Sequence, residues 1–328
     1  MSQLYSIVSD KEIMSSILEC IRTVGRGERG RKPLTFEQAY KVMDEYLDGQ
    51  VGDDQMAMLL MLIRVQNETN AEIAGFVKAF QSRVPNLGAD IDWPCYAGKR
   101  AAAGKPWHAL AAKILADQGY KVLLHGYNDK PAGREHIEAY LEQLGIPLAN
   151  DPQHAKTLLE SDSIAYLPLA NFAPMAETMI GWKSRYGLRT PINTVVRALN
   201  PGGGKVGLRG SFHPGFQQLH AEVENVIGEV SHSVISFKGQ SGESEYNPKV
   251  SQTVWLSRPE GVESFYWSEQ MLTELPLPAA CVLGTPEEDL NTMANSVVAT
   301  LTAVLFAQTH DRDRAFDQAF QYWTEYCS

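Results

Sequence analysis

From about Ile91 onward, short apolar runs alternate with helix-length stretches, and this alternation most narrowly limits what the chain can fold into. The runs Lys121–His125, Ile164–Leu167, Val206–Leu208, Val234–Phe237, Thr253–Leu256 and Ser264–Trp267 are too short for helices and rich in β-branched, aliphatic and aromatic residues. They read as buried strands. Helical patterns accompany them at Trp107–Gln118, stopped by Gly119, and at Arg134–Leu144, stopped by Gly145; the tail reads as two helices, Glu287–Gln308 and Arg312–Tyr326. Parallel strands need a crossover long enough to hold a helix, so the expected class is α/β with a mainly parallel sheet and surrounding helices.

The first 84 residues differ. Capping boxes at Ser9/Glu12, Thr35/Gln38 and Thr69/Glu72 mark helix starts, because each hydroxyl can accept a backbone N–H while the later side chain reaches back. Apolar residues follow at helical spacing, as in Ile13, Ile17, Ile21 and Val24, then Ala39, Val42, Met43, Tyr46 and Leu47. A third helix follows Asp53 and a fourth runs to about Val84, before Pro85. The expected organisation is a small all-helical domain over residues 1–84, joined by helices from about 170–200, and a larger α/β domain over 85–328. The four cysteines, Cys20, Cys95, Cys281 and Cys327, lack CxxC spacing and read as reduced thiols. Apolar stretches such as Met56–Ile63 are short for a bilayer, and the start has no secretory pattern, so the expectation is a cytoplasmic protein without a membrane partner.

Common chemical motifs are absent. Gly98–Pro106 misses the P-loop spacing and puts Pro106 where a magnesium-binding hydroxyl belongs; Asn200–Gly207 lacks the upstream glycine. The eight histidines show no HExxH or Cys/His ligand spacing, which argues against structural zinc, and no GxSxG elbow occurs. The net charge of −10 argues against a generic nucleic-acid coat. Yet Arg22, Arg26, Arg29, Arg31 and Lys32 cluster, opposed only by Glu28. Screening confines distant acids to about 10 Å, so such a cluster either attracts phosphate locally or forms a solvated loop.

The segment Gly49–Gln55 (GQVGDDQ), with Leu59–Arg64 and Glu68–Ile73, resembles the helical domain of anthranilate phosphoribosyltransferases, a domain shared with pyrimidine nucleoside phosphorylases. The similarity runs to at least Glu245. It implies a helical domain hinged to an α/β domain in a homodimer, and transfer of ribose phosphate from magnesium-bound phosphoribosyl pyrophosphate to anthranilate. The family's GTGGD loop corresponds to Cys95–Lys99, keeping only Gly98 and replacing an acid by Lys99. Its NIST segment falls on Pro106–Ala109, placing His108 among lost hydroxyls, and its KHGN segment on Leu124–Tyr127, keeping His125 and Gly126. The metal-binding Asp-Glu pair falls on Ser244–Glu245, leaving Glu245 as one carboxylate of two. An anthranilate-contacting arginine falls on Lys183, whereas Arg189–Asn193 and Leu199–Pro201 match the family scaffold.

The resemblance thus implies a phosphate or ligand cleft of Gly98, Lys99, Arg100, His108, His125, Gly126, Lys183, Arg189 and Asn193. Gly25–Gly27 and Tyr96–Arg100 are more similar still to a phosphoribosyltransferase-like branch that binds DNA without anthranilate activity. For that branch the implied contacts are Arg26, Arg29, Arg31, Lys32, Lys99, Arg100 and Lys105. Tyr96, Trp107 and Tyr127 either stack on bases or, for Trp107 and Tyr127, pack the cleft. The expected function is a non-catalytic homologue binding single- or double-stranded nucleic acid. The alternatives are an active phosphoribosyltransferase using magnesium, and a dimeric scaffold binding a phosphate-bearing small molecule.

Overall fold

A computed structural model describes residues 16–128, 133–228, 232–279 and 282–328. The Ser9/Glu12 box, Ile13 and Cys281 lie outside them. Helices α1 (Ser16–Val24), α2 (Phe36–Leu47), α3 (Asp53–Gln66) and α4 (Asn70–Gln81) form the amino-terminal bundle. Both remaining capping boxes are made, at Thr35/Gln38 and Thr69/Glu72. Glu72 also accepts the Leu34 N–H at 2.9 Å, which ties the α1–α2 connection to the start of α4.

The α/β part contains β1 (Ile91–Cys95), β2 (Lys99–Arg100), α5 (His108–Asp117), β3 (Val122–Gly126), β4 (Arg134–Glu135), α6 (Pro152–Ser161) and β5 (Ile164–Pro168). Then come α7 (Pro174–Gly181), α8 (Lys183–Tyr186), α9 (Ile192–Val195), β6 (Val206–Ser211), α10 (Phe216–Ile227) and β7 (Ser233–Lys238). The chain ends with β8 (Gln252–Arg258), β9 (Gly261–Trp267), α11 (Leu290–Thr309) and α12 (Arg312–Cys327). Seven strands form one sheet in the order β5-β3-β1-β6-β7-β8-β9. The first five are parallel and the last two antiparallel. This is the expected α/β class.

Two apolar cores flank the sheet. On one face α5, α11 and α12 pack over Trp93, Phe237 and Trp267; on the other, Leu123, Ala165 and Leu167 join the amino-terminal bundle, α7 and α9. The stretch Glu287–Thr309 is long and apolar enough to cross a bilayer, unlike Met56–Ile63, but 78% of its apolar window is buried inside the protein. It is a core helix here.

Two local readings change. The helix expected at Arg134–Leu144 is instead β4, a short 3-10 turn at Ile137–Tyr140 and further turns. Arg134 and Glu135 pair antiparallel with Arg100 and Lys99, and that pairing takes the backbone groups a helix would use. Strand β1, central in the sheet, carries Pro94, which lacks a ladder donor. It is tolerated because β6 pairs only with Ile91 and Asp92 and has left the ladder before Pro94.

Candidate functional site

Strand order reverses between β1 and β6, and ligands of open α/β sheets bind outside the carboxyl ends of strands at such a point. A cleft of about 160 Å3 opens there. Ala97, Ser211, Phe212 and Gly242 follow or end the strands and form its floor, while α3 and the α9 region close over it. Five arginines line it, Arg64, Arg100, Arg134, Arg189 and Arg197, against one carboxylate, Glu68. Glu68 lies 3.3 Å from Arg64, and the Arg134 guanidinium donates to the Gly98 carbonyl at 2.8 Å. Arg100 and Arg189 are exposed, and the Arg100 guanidinium stacks 5.2 Å from the centre of the Phe212 ring. Phe212 is 39% exposed, an aromatic face on the lip of a cationic groove. His220, buried behind it, has its pKa pushed well below the usual value by burial, reinforced by Arg197 and Arg209. A larger cavity, about 560 Å3, lies at the amino ends of β1, β6 and β7, bordered by Ile91, Val206 and Ser233, away from the switch point.

Beneath the arginines, the loop amides, the first amide of α5, Glu245 and Ser244 are all engaged internally. Loop Tyr96–Lys99 turns its amides inward, and the Ala97 and Gly98 N–H groups both donate to Glu243 Oε1. Gly98 is at φ +63°, and a Cβ there would come within 2.6 Å of the His136 ring, so this turn requires glycine. Glu245 accepts the first amide of α5, His108 N–H, at 2.9 Å, and lies 3.2 Å from His108 Nδ1. Its other oxygen is 2.5 Å from the Lys99 ammonium. Burial alone would raise the Glu245 pKa, but Lys99 and His108 outweigh it and hold the carboxylate below its ordinary value. Ser244 is also engaged, accepting Gly210 N–H on Oγ and Trp93 Nε1–H on its carbonyl.

A second buried network underlies the first. Arg209 bridges Asp92 at 2.9 Å and Glu224 at 2.7 Å, and His125 Nε2 lies 2.9 Å from Asp92. Burial opposes ionisation of Asp92, but His125 and Arg209 prevail and its pKa is lowered. The Tyr96 hydroxyl meets His125 Nδ1 at 2.8 Å. Gly126 ends β3 where a Cβ would sit 2.2 Å from the Cys95 carbonyl, so strand and loop approach only through glycine.

The sequence-derived residues therefore separate. Arg100, Arg189 and Asn193 line the cleft, while Gly98 and Gly126 lie outside its lining and permit the close approaches of the loop after β1 to His136 and of β3 to Cys95. Lys99, His108 and His125 are fully buried below it, and Lys99 is no surface contact: its ammonium also lies 3.6 Å over the Trp107 ring. Trp107 is buried with Nε1–H on Thr285 and offers no free face for a base, while Tyr127 is half-buried against the apolar core shared with the bundle. Lys105 is held by Glu135 at 3.2 Å and by the Tyr140 ring. Lys183 is exposed outside the cleft lining. Arg26, Arg29, Arg31 and Lys32 are exposed on the α1–α2 connection. Arg31 and Lys32 border Gln66, Asn67 and Thr69, in the same turn whose Arg64 and Glu68 line the cleft. Sequence reasoning passed over Glu243, Asp92, Arg209, Arg197, Arg134 and Phe212. The alternation Glu243-Ser-Glu245 after a glycine pair was the available signal for the first.

Residues 18–84 match the family model of the glycosyl transferase family helical bundle domain. Anthranilate phosphoribosyltransferase from Bacillus caldotenax is 30% identical over 220 residues, 65% of this chain and 88% of the relative. The chain belongs to the anthranilate phosphoribosyltransferase family. The Geobacillus stearothermophilus member is 31% identical over 218 residues; there the match covers 65% of this chain but 62% of the relative's length. An uncharacterized Escherichia coli protein is 25% identical over 268 residues, 79% of this chain and 82% of the relative. Among solved structures, the Thermus thermophilus anthranilate phosphoribosyltransferase superposes with a TM-score of 0.72 over 94% of both chains, at 22% identity, which establishes the shared fold.

Proposed function

We propose that this family member is non-catalytic and binds single-stranded nucleic acid across the arginine-lined cleft. The observation that carries the reading is the contrast between a cleft lined by arginines, Arg100 and Arg189 exposed among them, and the internally engaged Glu245 below. A yeast relative is described in complex with phosphoribosyl pyrophosphate and magnesium. A metal–pyrophosphate pair needs free carboxylate oxygens and free amides. Here Glu245 and Ser244 are engaged internally, and the loop and helix amides are taken by Glu243 and Glu245. Those residues do not fit magnesium. Losing preorganised contacts worth about 2–4 kcal/mol each lowers a rate by many powers of ten.

Arginines present planar donors to phosphate without a metal, and Phe212 offers a stacking face. The loop Arg26–Lys32 extends the basic surface past the α3–α4 turn. If the four cleft arginines that are not buried, Arg64, Arg100, Arg134 and Arg189, met phosphates of a single strand, affinity would fall with a log–log salt slope near −2.8, or about 50-fold between 50 and 200 mM salt. Fluorescence anisotropy with labelled single-stranded DNA at those two concentrations tests this. Absence of binding at low salt, or binding indifferent to salt, would overturn it.

Arg189 and Asn193 in the cleft favour a second reading, an active transferase with a changed acceptor. That reading requires the Lys99–Glu245 pair to open for the metal. We further propose a homodimer through the bundle: Met58 and Val65 on α3 are 57% and 66% exposed, and with Leu62 they follow the i, i+4, i+7 spacing of one helix face.

A further inference from the structure

We propose that Cys95, His108 and Glu243 form a binding site for a divalent transition-metal ion, zinc by ligand type. The Cys95 thiol, one ring nitrogen of His108 and one carboxylate oxygen of Glu243 all lie within 4.8 Å of one another. The three residues are 3%, 1% and 2% exposed, so this is a built interior site and not a patch of surface acids. They come from the end of β1, the start of α5 and the loop after β7, which is why no ligand spacing is visible along the sequence.

Each side chain has the remaining capacity a ligand needs. His108 Nδ1 lies 3.2 Å from Glu245 Oε2, so that nitrogen is occupied by the carboxylate and Nε2 is the ring nitrogen left for a ligand. Nε2 has no hydrogen-bond partner although it is buried. A carboxylate behind a histidine that turns its other nitrogen to a metal is the arrangement that fixes tautomer and orientation at zinc centres. Glu243 divides its oxygens: Oε1 takes the two loop amides, while Oε2 is buried without a partner. Cys95 makes only a weak 3.6 Å contact with the Trp93 carbonyl.

A thiolate and a carboxylate together neutralise a dication, and imidazole completes a mixed sulfur, nitrogen and oxygen set. That set selects zinc or cobalt over magnesium, which takes oxygen ligands. Three protein ligands leave a fourth tetrahedral position. Ala97, two residues after Cys95, and Gly242, adjacent to Glu243, line the cleft and mark the route of entry. Binding releases the Cys95 thiol proton to solvent and forms the sulfur–metal bond; no redox change is involved.

The test uses the full chain, stripped with chelator and titrated with Co2+ and then Zn2+. The expected result is one equivalent of Co2+ giving thiolate-to-cobalt charge-transfer absorption, displaced by Zn2+ and unaffected by millimolar Mg2+. Cys95→Ser should abolish the band, and Glu243→Gln should weaken Co2+ binding at least tenfold, with far-UV circular dichroism unchanged. The Cys20→Ser/Cys327→Ser variant should keep the band. No band in the folded wild type, or a band surviving in Cys95→Ser, would overturn the proposal. Should Cys95→Ser fail to fold, loss of the band in folded Glu243→Gln supports it and full retention there overturns it.

Discussion

Replacing Lys99 by methionine separates a buried structural cation from a surface contact. The Lys99 ammonium has no exposed surface and touches Glu245 at 2.5 Å, the Lys105 carbonyl at 2.7 Å and the Trp107 face at 3.6 Å. Lys99→Met keeps the stem but leaves Glu245 buried with His108 as its remaining partner. Stripping one partner from a buried ion pair costs about 3–5 kcal/mol. Unfolding entropy near 2.1 cal/mol/K per residue gives about 0.7 kcal/mol/K over 328 residues, so Tm should fall by about 4–7 °C. Differential scanning calorimetry at neutral pH reads this directly. The double change Lys99→Met/Glu245→Gln should recover part of the loss, since no unpaired charge remains. The wild-type pair has a definite pH sign as well. Because the folded Glu245 pKa lies below its ordinary 4.5, its stabilisation is complete above that value and is lost as pH falls through the lower folded value. A Tm loss under about 1 °C, typical of a surface substitution, together with weakened DNA binding would refute the buried-pair account.

Other consequences follow from the same geometry. Arg100→Ala and Arg189→Ala, each removing an exposed cleft arginine, should weaken single-stranded DNA binding and reduce the salt slope by about 0.7 apiece, measured by anisotropy across a salt series. Phe212→Ala should cost about 1–3 kcal/mol of single-strand affinity in the same assay, whereas Phe212→Tyr keeps a stacking face and should lose little. Met58→Asp should shift the chain from dimer to monomer in sedimentation velocity without lowering helix content; an unchanged dimer would place the interface elsewhere. Gly126→Ala brings a Cβ to 2.2 Å from the Cys95 carbonyl and should lower Tm by several degrees, while alanine at Gly27, where no atom lies within 4 Å, should not.

Much of the architecture was legible because it rests on periodicity. Strands with apolar runs were visible in the sequence, as were the amino-terminal helices with capping boxes and α5 with its stop at Gly119, whereas α10, which also ends at a glycine, was not. Strand β1 was not, since Asp92 and Pro94 interrupt its apolar pattern, and what licenses them is tertiary: Arg209 and His125 neutralise the acid, and β6 departs before the proline. The helix read at Arg134–Leu144 had suitable apolar spacing at Ile137, Tyr140, Leu141 and Leu144, but pairing with β2 overrode it. The site was less legible still. Lys99 reads as a free cation along the chain because its partner, Glu245, arrives from a distant loop. Arg134 and Phe212 carry no local signal; only the fold brings them to Arg100.

The central claim, that the family's pyrophosphate site is closed on itself, is tested most directly by calorimetric titration of phosphoribosyl pyrophosphate with and without magnesium. The account predicts no magnesium-dependent heat at millimolar ligand, and at most weak binding to the arginines that salt abolishes. Saturable, stoichiometric binding that requires magnesium would contradict it, because Lys99 would then have to release Glu245.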